Sequence, residues 1–221
     1  VAKTGGDYLY IQDAIDSASL GEVIAILPGT YHGGLRIIKE LHIIGIGRRD
    51  KIIIETSNEN VVYFDAQQGT LKNLTFKLIN SRHRIFAIEL AGGELLLENS
   101  DLTSNVGTII GISNNANPII RNNTIHDAPQ TGILVHSGGA GIIDGNEIYN
   151  NQLQGIVVSS NGNPFVTRNN IYNNKGIGIF VYKGGKGSYI GNYIHNNIPT
   201  NFHIAEDADV IEWGHAQEKS P

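Results

Sequence analysis

Tyr63, Asp65 and Glu89 are the side chains of this chain whose types and spacing suit acid–base chemistry on one substrate. A carboxylate beside a tyrosine can take a proton from a substrate, provided a cation neutralises the charge that develops next to it. Arg82, His83 and Arg84, just ahead of Glu89, are the cations in reach. A second set is apolar and aromatic: Leu134, Val157, Phe180 and Tyr182, flanked by His136 and His203. Such a strip, if exposed, suits recognition of an extended peptide or glycan. Lys175, Lys183 and Lys186 beside it favour an anionic partner. Whether either set meets in space depends on the elements that carry it.

Those elements follow from a repeat. Asn123, Asn146, Asn169 and Asn192 recur every 23 residues, followed in register by Ile125, Ile148, Ile171 and Ile194. Gly132, Gly155 and Gly178 keep the same step, as do Val135, Val158 and Val181. The period is too short for two packed helices, and within it apolar residues alternate, as in Ile133-Leu134-Val135-His136, which is strand spacing. Gly and Asn pairs punctuate the strands. The chain is therefore read as all-β: a single-stranded parallel β-helix, with an Ile/Val core and Asn side chains stacked at the corners, amide on amide. The 34 Ile and 24 Asn of the composition fit that reading.

One domain is expected over 1–221, with a cap and first strand at 1–30. Looser coils should follow at 31–100, regular coils at 101–213 and a polar tail at 214–221. Residues 8–18 carry apolar positions at helical spacing, closed by Gly21, so an amphipathic helix should cover the first coil. Outward residues then stack into columns. One reads Tyr63, Glu89, Gly111, Leu134, Val157, Phe180, His203; its neighbour reads Asp65, Ala91, Ser113, His136, Ser159, Tyr182, Ala205.

The columns weigh against a metal. His136 and His203 belong to different columns, three coils apart, and His126 and His195 share a column at the same spacing, about 14 Å. Zinc ligands lie about 2.0–2.3 Å from one ion. Glu206, Asp207 and Asp209 share a turn and could contribute to a calcium site, which draws roughly six to eight oxygens from several segments; the plainer reading is a solvated acidic turn, so no cofactor is expected. A net charge of −5 argues against a nucleic-acid partner, and no apolar run reaches the ~20 residues of a membrane span. Without Cys there are no disulfides or thiolate sites. The chain contains no Met and opens on Val1 with no basic-then-apolar leader, so it is expected to be a processed or trimmed product.

The opening resembles the cap and first coils of pectin-lyase-like right-handed parallel β-helix proteins. The segments that carry this run from Ile11-Gln12-Asp13-Ala14-Ile15 through Leu27-Pro28-Gly29-Thr30-Tyr31 to Ile43-Ile44-Gly45-Ile46-Gly47. That group holds pectinesterases, polysaccharide lyases, alginate epimerases and copper-maturation proteins. The resemblance implies right-handed coils and favours a secreted or periplasmic location. From about 113 to 213, Asn-Pro coils (Asn117-Pro118, Asn163-Pro164) alternate with a Gly-x-Gly coil (Gly139-Ala140-Gly141). This is similar to the β-helix repeats of an F-box ubiquitin-ligase substrate receptor and its bacterial relatives, although no F-box segment is present. The Asp-Pro-His-Glu motif of the epimerases is absent, as are the catalytic motifs of pectinesterases and polygalacturonases. The missing motifs favour a non-catalytic recognition module for a protein segment or polysaccharide, contacted through Leu134, His136, Phe180, Tyr182 and His203. A lyase or epimerase acting through Tyr63, Asp65 and Glu89 is the alternative, and a scaffold or fragment without its own ligand the third. A short solenoid with an exposed end is also open to end-to-end self-association.

Overall fold

In a computed structural model, residues 1–81, 83 and 85–216 are described. The chain winds through three parallel faces. Face A begins at Val23–Ile26 and His42–Gly45 and continues through Gln68–Lys72, Glu94–Glu98, Ile119–Arg121, Ile142–Asp144 and Phe165–Thr167. Face B begins at Gly29–His32 and reaches Thr124–His126, Glu147–Tyr149 and Asn170–Tyr172. The long strand Lys186–His195 turns the corner and belongs to both. Face C has eight strands, from Leu35–Ile37 to Phe202–Ile204.

Most strands bury alternate residues, and the inward ones stack into a continuous core from Ile11 to Ile194. Val62 and Phe64 sit under Ile88 and Leu90, which sit under Ile110 and Ile112, all at 1% exposure or less. The looser early coils advance 26 residues, as from Asn73 to Asn99; the later ones advance 23, as from Asn123 to Asn146.

Asparagine does two jobs at the corners. Between faces A and B the chain must adopt positive φ, and Asn73, Asn99, Asn122, Gly145, Arg168 and Gly191 fill that place in successive coils. Gly and Asn tolerate the left-handed region; Arg does not readily, and Arg168 is held there with its guanidinium on both Asp144 oxygens (2.7 and 2.5 Å). The next residue points inward. Asn146 Oδ1 accepts from the Asn123 N–H and Nδ2 (2.9 and 3.0 Å), and the same pattern links Asn169 to Asn146 and Asn192 to Asn169. The corner amides are structural. A second ladder, Asn151, Asn174 and Asn197, braces the corner between faces B and C. Its 23-residue step was present in the sequence and was hidden by adjacent Asn residues.

The expected cap is a helix of one face, Ile11–Ser17, burying Ile11, Ala14 and Ile15. Gln12 Oε1 accepts from Arg36 N–H (2.9 Å), and Lys39 Nζ donates to the Asp16 and Ala18 carbonyls. The cap thus satisfies the open edge of the first face C strand. At the other end the strand Asp209–Ala216 runs past the expected start of the tail at 214, paired with Lys186–His195; positions 217–221 lie outside the described residues.

Candidate functional site

Face C carries the sequence-predicted residues on its outer side, and its register fixes their order. Arg36, Tyr63, Glu89, Gly111, Leu134, Val157, Phe180 and His203 form one column. Tyr63 and Glu89 are direct cross-strand partners, close enough for one ligand to touch both. Asp65 is set apart: it is exposed and leans over Gly92, where a Cβ would stand 2.6 Å from its Oδ1. Arg82 and Arg84 lie outside the described residues, and His83 is exposed. The cation beside Tyr63 is instead Arg36, whose guanidinium carbon lies 5.1 Å from the ring centre.

Two residues not singled out in the sequence complete the centre. Asn60 Nδ2 donates to Glu89 Oε2 (3.1 Å) and to the Phe86 carbonyl (2.9 Å), tying the carboxylate to the turn before its strand. The Phe86 ring then lies over the next coil at Gly111, where a Cβ would stand 2.7 Å from it. A glycine among large outward residues was the sequence signal for such a visitor. Phe86 also stacks on His136, ring centres 6.2 Å apart at 29°. Burial pushes the His136 pKa down against the opposing pull of the Glu89 charge. Its Nδ1 meets Ser137 Oγ at 2.9 Å.

The C-terminal half of the face is aromatic. Phe180 and Tyr182 stack at 4.6 Å and 4°, Lys183 Nζ lies 5.4 Å from the centre of the Tyr182 ring, and His203 tilts onto Phe180 at 5.4 Å. The expected apolar strip is interrupted, because Val157 is only 6% exposed. Its cross-strand neighbours Leu134 and Phe180 carry longer side chains on either side of it. Lys175 lies on the corner between faces B and C, and Lys186 begins the long strand on face A.

On face B, His126, Tyr149, Tyr172 and His195 occupy one column and stack at 4.9, 5.1 and 5.2 Å. The two tyrosines fill the coils between the histidines. His126 lies between Asp101 (3.4 Å) and Asp127 (2.7 Å). Burial works to lower its pKa, yet the two carboxylates outweigh it and the net shift is upward. The ring faces of this column are spent on each other. Asp207 in the acidic turn accepts from Lys183 N–H (3.1 Å). Among the described residues no three His, Asp or Glu groups cluster to hold a metal, and no helix is long and apolar enough to cross a membrane.

A sequence model described as the right-handed beta helix region matches residues 60–211. The chain belongs to that family, and its fold is the pectin-lyase-like right-handed parallel β-helix. No curated protein matches it in sequence. Among solved structures it is similar to Escherichia coli ybhc, with 12% identity, TM-score 0.60, covering 95% of this chain and 71% of that one. It is similar also to pectate lyase Pel9A, with 13% identity, TM-score 0.56, covering 98% and 77%. The A-module of Azotobacter vinelandii mannuronan C-5 epimerase AlgE6 gives 16% identity, TM-score 0.54 and coverage of 90% and 73%. At these identities the likeness is one of fold.

Proposed function

We propose that face C binds an acidic polysaccharide, laid as an extended chain along the solenoid axis. The observation that carries this reading is the pair of cation-on-aromatic sites that bracket the face. Arg36 over Tyr63 stands at one end and Lys183 over Tyr182 at the other. Between them lie Glu89, Phe86 and His136, and six coils at ~4.8 Å put the two cations roughly 29 Å apart. Aromatic edges and faces suit the apolar sides of sugars, and fixed cations suit carboxylates. A pectate lyase and a mannuronan C-5 epimerase share the fold, which makes uronate polymers the class to try first. Calorimetric titration with uronate oligomers and with a neutral glucan tests the reading. Binding should be confined to the uronates, weaken with added salt as exposed charge is screened, and weaken again in Arg36→Ala and Lys183→Ala. Equal binding of the neutral glucan, or none of either, refutes it.

A catalytic reading is favoured by one further observation: the His136 imidazole, its pKa lowered by burial, stacked on the Phe86 ring. Such an imidazole can accept the proton next to a uronate carboxylate, with Glu89 two coils and Tyr63 three coils along the same face. Ultraviolet detection of unsaturated ends, together with exchange of that proton into heavy water, decides it. Turnover abolished by His136→Gln with binding retained is the expected result; binding with neither signal leaves face C a recognition surface.

A further inference from the structure

Face A carries an outward apolar column that the glycan reading does not use. Leu96, Ile119, Ile142 and Phe165 are register partners on four successive coils. Ile119, Ile142 and Phe165 are each about two-fifths exposed (39%, 39% and 40%). Two residues along each strand runs a charged column: Lys72, Glu98, Arg121, Asp144 and then Thr167, with Arg168 beside it. Within the chain Glu98 takes both Lys72 (2.8 Å) and Arg121 (2.7 Å), which hold its carboxyl below the usual range. Arg168 takes Asp144. Beside Leu96 lies a shallow hollow of about 300 Å³, lined by His42, Thr70, Glu94, Leu96, Ile119 and Ile142 among others.

We propose that face A is the contact between two copies of this chain, packed face to face with their solenoid axes antiparallel. The charges select this arrangement. A two-fold axis lying in the face, along the strand direction and between Ile119 and Ile142, sets each of these against the other on the second copy. It also brings Phe165 of the second copy over Leu96 and its hollow. Arg121 then faces Asp144 of the second copy, twice, and Glu98 faces Thr167 with Arg168 next to it. Moving the axis by half a coil in either direction puts Arg121 on Arg121 or Asp144 on Asp144. Turning it parallel to the solenoid puts Glu98 opposite Glu94. Like charges face to face disfavour all three alternatives. The selected pairing is isologous and closed, so it yields a dimer and no filament.

Charge swapping tests the register as well as the contact. Sedimentation equilibrium of the whole chain should show a monomer–dimer equilibrium. Ile142→Lys should weaken it at least ~10-fold. Arg121→Asp alone places a carboxylate against each Asp144, and Asp144→Arg alone places a guanidinium against each Arg121, so each variant should be monomeric. Mixed one to one, the two variants meet with opposite charges at both contacts and should form a heterodimer. Thermal unfolding of each variant checks that its coils are intact, and the mixing step needs only folded monomers. A wild type that is monomeric throughout, or single variants that dimerise as wild type does, overturns the proposal. Failure of two folded, monomeric variants to pair on mixing overturns the register.

Discussion

Truncating Asn146 to alanine should cost this protein several kcal/mol, far more than a polar-to-Ala change at a surface. Asn146 is 1% exposed. Its Oδ1 accepts from the Asn123 N–H and Nδ2, and its Nδ2 donates to the Ile120 carbonyl (2.8 Å) and Asn169 Oδ1 (2.9 Å). Asn123 Nδ2 keeps the Leu97 carbonyl and Asn169 Oδ1 keeps the Asn146 N–H, so these two are only depleted. The Asn123 N–H is left facing a cavity that water cannot easily reach. One orphaned buried group costs about 1–3 kcal/mol and each of the three further lost bonds about 1 kcal/mol, giving ~4–6 kcal/mol in all. The control is Asn170→Ala, which loses an exposed bond to Glu147 Oε2 (2.8 Å) and a partly buried one to His195 Nε2 (3.2 Å), at a cost of about 1–2 kcal/mol. Urea unfolding followed by far-ultraviolet circular dichroism compares the two by linear extrapolation. If Asn146→Ala loses no more than Asn170→Ala, the ladder is not a stabilising device and the account of the corners is wrong.

Other outcomes follow from the same geometry. Gly111→Val should expel Phe86 from face C, since the first added carbon already collides with the ring; fluorescence and uronate titration should then show a looser face and weaker binding with the coils intact. His126 titrates above its ordinary range in the folded chain, so its ion pairs contribute stability fully below pH ~6.5 and lose it as pH rises through the higher folded value. The stability difference between wild type and His126→Gln should therefore shrink from pH 6 to 9, and a difference that grows contradicts the assignment. Glu89→Gln removes the charge that opposes the fall in the His136 pKa, so nuclear magnetic resonance titration should find the imidazole pKa lower still.

The period was enough to read the coils, because every inward Ile and Val repeats at the core and a slip of one residue would turn them to solvent. The columns Tyr63–Glu89 and His136–Tyr182 were legible for the same reason. The pairing of side chains across them was not. Phe86 precedes its strand and crosses to another coil, so no spacing announces its contact with His136; only the gap at Gly111 hints at it. Val157 looked exposed by alternation, yet its exposure is set by the length of its neighbours. Arg36 was missed because the first coils depart from the 23-residue step, and the aromatic column on face B because two of its four members were weighed only as metal ligands.

The central claim is that an acidic glycan lies on face C, and the direct measurement is chemical-shift mapping on the labelled chain titrated with a uronate oligomer. The account predicts that the shifts concentrate on Arg36, Tyr63, Glu89, Phe86, His136, Tyr182 and Lys183, while Ile119, Ile142 and the Tyr149–Tyr172 column stay still. Shifts gathered on face A or face B, with face C silent, would contradict it.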